Sequence, residues 1–305
     1  MSAVAGALVP VFGLIALGVA LKRWAFRDAG FWEPVERLTY FVLFPPLLVT
    51  SIAEARIDGA DTLKLVAVCL VAMALVAAGL FALRSRMGLD GPAFTSVVQG
   101  ALRFNTYVAL AVASGLHGKA GLALLAIVLA FAVPLGNAIS VAALARHGSG
   151  GGKGGIGAVA AEVAKNPLIL GCAGGLVFAL SGVAIPEPLA RMADILGRGS
   201  LALGLLTVGA GLSLAHLAAH ARGIVWASVP KLLLKPLLAV LLGHAAGLEA
   251  LGLSVAAIFA AQPAATSSYI LARRLGGDAA LMATIVSAQV ILAAVTLPLV
   301  LALAG

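Results

Sequence analysis

Charge is what this sequence has least of. Only 10% of its 305 residues are Asp, Glu, Lys or Arg, while 62% are hydrophobic; a soluble domain carries roughly 25% charged residues. That shortage excludes a water-soluble globule and points to an all-α, polytopic membrane protein. Cysteine and histidine are also scarce, at two and five. Cys69 and Cys172 fall in separate apolar runs with no His or carboxylate at ligand spacing, so they read as packing residues and no metal site is expected. Paired acids, a histidine cluster, or a serine with a base at mid-membrane depth are missing too. No enzyme chemistry and no cofactor are therefore expected.

The formal net charge of +8 invites a nucleic-acid reading. The basic residues, however, are scattered over short loops instead of forming one face, so no nucleic-acid partner is expected and the lipid bilayer is the surrounding partner. Apolar runs bounded by charges, Gly or Pro mark ten spans, at roughly 3–21, 34–53, 63–83, 93–114, 120–145, 166–181, 195–215, 223–246, 250–272 and 279–303. The first has its positive charges, Lys22 and Arg23, after it and no basic region before it, which argues against a cleaved signal peptide. The stretch 190–199, with Arg191, Asp194 and Arg198, reads as a separate interfacial entry to the seventh span; Asp194 and Arg198 suit a local i, i+4 salt bridge.

Loops after odd-numbered spans hold Lys22, Arg23, Arg27, Arg84, Arg86, Arg146, Lys153, Lys165, Arg222, Arg273 and Arg274, eleven in all. Those after even-numbered spans hold four: Arg56, Lys64, Lys119 and Arg191. The positive-inside rule makes the odd loops cytoplasmic and leaves both termini on the outer side.

The glycine-rich run 147–155 divides the chain into a first five-helix repeat (1–145), a cytoplasmic linker (146–165) and a second five-helix repeat (166–305). It lacks the Gly and Ser/Thr positions of a phosphate-binding loop. Gly118-Lys119-Ala120-Gly121-Leu122 matches Gly277-Asp278-Ala279-Ala280-Leu281 at an offset of 159, and each is followed by a span with one late proline, Pro134 or Pro298. An odd number of spans per copy makes the halves an inverted repeat.

The site candidates lie in the fourth and ninth spans. Arg103 stands eleven residues after Pro92, or ~16 Å into the membrane at 1.5 Å per residue. A mid-membrane arginine costs about 2.5 to 3.5 kcal/mol even on lenient scales, so it marks a functional position. Asn105 and Thr106 follow it and suit the cap of a new half-helix. In the ninth span Gln262 falls opposite Arg103 and Pro263 opposite Phe104 under the same offset, with the Thr266, Ser267, Ser268 group just after them.

Pro263 frees backbone groups and suits the first turn of a second half-helix. Two broken helices at matching positions are the sequence mark of a transporter binding site, with positive helix ends aimed at the substrate. With Arg103 and no deep carboxylate nearby, the substrate inferred is a small organic anion, a carboxylate. A structural role for Arg103 on exposed carbonyls stays open, as does plain interhelical bonding for Gln262, Thr266 and Ser267. Thr50 and Ser51 after the Phe44-Pro45-Pro46 kink, Thr207 in the seventh span and Lys235 in the eighth are support candidates. Lys231 is shallow enough to snorkel to the cytoplasm.

The break at 103–107, Asn166-Pro167, the Gln262-Pro263-Ala264-Ala265 break with Ser267, and the ending from Gly277-Asp278 to Thr296-Leu297-Pro298 resemble the auxin efflux carrier family. The resemblance is to its short bacterial members, often described as malonate or other organic-acid permeases, and covers essentially the whole chain. It implies ten helices in two inverted repeats, with helices 4 and 9 crossing at the substrate site. It also implies an elevator-like cycle, a homodimer through helices 1, 2, 6 and 7, and a bacterial inner-membrane location. Plant members carry a proline at the fourth-helix crossing and this chain does not, which argues against auxin itself. A sodium-coupled symporter of the bile-acid type is the alternative within transport, and a non-transporting membrane receptor the alternative outside it.

Overall fold

A computed structural model of the protein describes residues 2–55, 59–150, 164–213 and 217–304. Most of the glycine-rich linker, with Lys153, and the loop residue Arg56 lie outside the described residues.

The described chain is helical. α1 (Ser2–Trp24) closes on Lys22 and Arg23, which suit its negative end. α2 (Ala29–Leu38) starts where the Asp28 side chain accepts from the Gly30 amide, and it runs through a π-helical segment, Thr39–Leu43, into α3 (Phe44–Ala53). α4 (Gly59–Ala82) is followed by α5 (Gly91–Leu102), capped by Asp90 on the Ala93 amide. α6 (Thr106–His147) is capped by Asn105 on the Val108 amide.

After the linker come α7 (Pro167–Ser181), capped by Asn166, and α8 (Glu187–Ala210). α9 (Ala221–Val229) leads through a second π segment, Pro230–Leu234, into α10 (Lys235–Ala245). α11 (Ala250–Ala260), α12 (Ser267–Leu275) and α13 (Ala279–Ala304) complete the chain.

Among the described residues, seven helical stretches are long and apolar enough to cross a membrane, and α7 and α11 are shorter apolar helices. The stretch Gly91–His147 holds 57 residues, about 85 Å of helix and far more than the ~30 Å hydrocarbon layer. It is interrupted at 103–105 and turns at Gly118, whose φ of 58° and ψ of −144° few side-chain-bearing residues tolerate.

Two expectations need correction. The stretch 190–199 is no separate entry helix: α8 runs unbroken from Glu187. Its charges are neutralised along its own face by Glu187 with Arg191 and Asp194 with Arg198, so the helix has no reason to stop. Nor does Lys231 snorkel. It is fully buried, because the π segment around it turns its side chain into the protein.

Packing sorts the helices. α1 lies on α8, and α3 on both α7 and α8, while α5 packs with α6, α9 and α13, and α10 and α4 with α11. The α1–α8 contact is a backbone approach at glycine, since a Cβ on Gly209 would overlap the Ile15 carbonyl and one on Gly18 the Leu206 carbonyl.

Candidate functional site

Two helix breaks meet inside the protein. α5 stops at Leu102, and the backbone is extended at Arg103 and Asn105 before α6 begins. α11 stops at Ala260, and the chain stays non-helical until α12 starts at Ser267. The half-helix thus begins four residues after Pro263, not at it, a correction to the expected start. A proline can occupy a first turn, but here Ala264 turns its amide away to a side chain on α13.

Backbone freed in a membrane must find partners within the protein, and these breaks largely supply one another. The Asn105 amide donates to the Pro263 carbonyl at 2.8 Å. Gln289 on α13 accepts from the Ala264 amide at 2.9 Å and donates to the Gly100 carbonyl at 3.2 Å, so one side chain spans both breaks. Lys231 donates to the Arg103 carbonyl at 2.7 Å and the Leu102 carbonyl at 3.4 Å. It therefore places an amine donor at the carbonyl end of α5, with the Phe104 ring centroid 5.7 Å away.

The expected site residues divide by depth. Asn105, Gln262 and Pro263 are buried, whereas Arg103, Thr106 and Thr266 are half-buried and Ser267 is exposed. Arg103 Nη2 donates to Ser267 Oγ at 3.1 Å, joining the first break to the start of α12. Thr266, the residue before α12, makes no side-chain cap; its hydroxyl donates to Glu36 Oε1 at 3.3 Å. Gln262 turns its amide nitrogen to the Ile258 carbonyl at 2.7 Å, on its own helix, and its Oε1 is buried without a hydrogen-bond partner. The Gln99 amide is buried with neither polar atom bonded.

Of the support candidates, Lys235 is fully buried with its ammonium 4.9 Å from the Phe259 ring centroid. Thr50 and Thr207 bond back to their own helices, at the Pro46 and Gly204 carbonyls. Ser51 is buried in α3.

Sequence reasoning missed three residues here: Glu36, Lys231 and Gln289. The fourth and ninth spans hold no deep carboxylate of their own, but α2 carries the half-buried Glu36 to the ninth-span break. Glu33-Pro34-Val35-Glu36-Arg37 looks like a polar span end, and nothing in it states the depth. Gln289, a lone amide amid the apolar last helix, was the signal available.

Multi-pass apolar helices whose mid-span breaks meet, with a cation at the meeting point, are the build of a membrane transport protein. The family is identified more closely by residues 157–301, which match the model described as membrane transport protein, the family of the auxin efflux carriers. That match spans just under half of the chain and indicates a membrane transporter. The matched half holds the second break, Glu36's partner Thr266 and the bridging Gln289. No curated protein matches the chain.

Proposed function

We propose that the protein is a secondary transporter that binds a small carboxylate where the two breaks meet and moves it by alternating access. The observation that carries this reading is the Arg103 guanidinium, half-buried at the meeting point and held on Ser267 at the start of α12. The anion would sit on the accessible rim of Arg103, Thr106, Thr266 and Ser267, over a floor of Asn105, Gln262 and Pro263. Starts of α6 and α12 both flank that rim, and helix starts favour negative charge.

The ten crossings, the inverted repeat and an elevator-like motion belong to the same proposal. Packing of α1, α3, α7 and α8 on one another supports a scaffold formed by the first, second, sixth and seventh spans, against which the other helices would move. A homodimer through those spans is part of this reading.

The test is thermal-shift binding of a carboxylate panel (acetate, malonate, benzoate) to the purified protein, with Arg103→Ala alongside. At least one carboxylate should stabilise the wild type, and Arg103→Ala, still folded, should bind it at least about tenfold more weakly, a loss of ~1.4 kcal/mol. Equal responses of the two proteins to every carboxylate would return Arg103 to a structural role.

A further inference from the structure

The rim holds two neighbouring hydroxyls with opposite duties. Ser267 Oγ accepts from Arg103, and Thr266 Oγ1 donates to Glu36. Glu36 comes from α2, which packs along α8 and has no other part in the breaks. It is the acidic side chain found bonded to a break residue among those described. A carboxylate cargo on Arg103 would lie within reach of both hydroxyls, and so beside Glu36. Two carboxylates sharing one site do not both stay ionised at low cost.

We propose that Glu36 is a proton-binding site that loads together with the carboxylate cargo, so that anion and proton bind as a pair. This rests on the anion reading above and adds the coupled ion to it. The step is simple to balance: a hydronium ion in solvent gives up one proton, breaking its O–H bond and leaving water, and that proton forms the O–H bond of the Glu36 carboxyl. A hydroxyl both donates and accepts. Once protonated, Glu36 donates to Thr266 Oγ1, and the Thr266 proton turns away from Glu36 to the cargo. Proton uptake thus replaces a repulsion with a donor.

Few other groups compete for this role. On α2 itself Glu33 lies one turn before and Arg37 one residue after. Tyr40 in the π segment donates to Asn166, and Tyr107 on α6 packs edge-on against the Phe44 ring. On α8 the charges are paired among themselves, Arg191 with Glu187 and Arg198 with Asp194. Arg103 reaches α12 through Ser267. Glu36 is also only half-buried, which gives it a path to solvent that the fully buried Lys231 and Lys235 lack.

The experiment follows protons and binding together. Purified protein in weakly buffered detergent with a pH-indicator dye is titrated with acetate, malonate and benzoate in turn, and affinities are taken across a pH series. Wild type should take up about one proton per carboxylate bound, with affinity falling toward tenfold per pH unit where Glu36 is ionised in the empty carrier. Glu36→Gln should bind without proton uptake and with a flat pH profile. Thr266→Val, a second variant for use if Glu36→Gln fails to fold, should bind more weakly and lose the cargo's donor.

Wild-type binding that is flat with pH and takes up no proton, while Arg103→Ala abolishes it, would overturn the proposal and leave the anion site standing. Failure of every carboxylate to bind wild type would overturn both. An undiminished proton uptake in Glu36→Gln would place the proton elsewhere and also overturn the proposal.

Discussion

Gln289 shows how much one side chain can hold at this site. Its amide satisfies a nitrogen of one break and a carbonyl beside the other. Gln289→Leu would leave both backbone groups buried and unbonded, at ~1 to 3 kcal/mol each. The variant should unfold at a clearly lower temperature in detergent than wild type, and an unchanged midpoint would mean that the breaks do not depend on this bridge. At this scale the sequence was half legible. Arg103, Asn105, Pro263 and Thr266 announce themselves because a polar residue or a proline inside an apolar span needs a reason. Glu36 and Lys231 do not, because what brings them to the breaks is the rotation of their own helices: a π segment follows Glu36 and another contains Lys231, and each shifts the helical face. Periodicity arguments assume a constant 3.6 residues per turn and cannot see that shift.

Among elements, the apolar runs were legible almost throughout, since lipid demands unbroken hydrophobic length and internal backbone bonding. The exceptions have local causes. α8 extends through four charged residues because they pair at i, i+4, and α12 starts late because Gln289 takes the Ala264 amide. Contact between helices was not legible at all, and glycine controls the closest case. Gly209→Val would drive its side chain into the Ile15 carbonyl of α1. Overpacking of this kind costs about 1 to 3 kcal/mol, and a rigid backbone contact puts it at the upper end. The expected result is a lower unfolding temperature. A variant as stable as wild type would mean that α1 and α8 can separate freely.

For the molecule as a whole, the charge count over loops predicts which side is which. Cys69 and Cys172 are both buried and free, so an added cysteine can be read against a silent background. Ser149→Cys, at the start of the linker, should react with a membrane-impermeant maleimide only after cells are opened. Ser181→Cys, at the end of α7, should react in intact cells. Labelling with the opposite pattern would invert the topology and place both termini in the cytoplasm. The linker itself is tied at its start: the Ser149 amide and hydroxyl both donate to the Gly276 carbonyl, at 2.8 and 3.1 Å.

The stitching of the two breaks also bears on how tightly any cargo could be held. A carrier whose broken backbone waited for its substrate to complete it would gain much from binding and would release slowly. Here Asn105 with Pro263, Gln289 with Ala264 and Gly100, and Lys231 with Arg103 close those gaps with the protein's own groups. On the anion reading proposed above, a cargo would exchange contacts at the rim and leave those backbone bonds unchanged. A carrier built this way would be suited to brief occupancy and frequent turnover rather than to storage of its ligand.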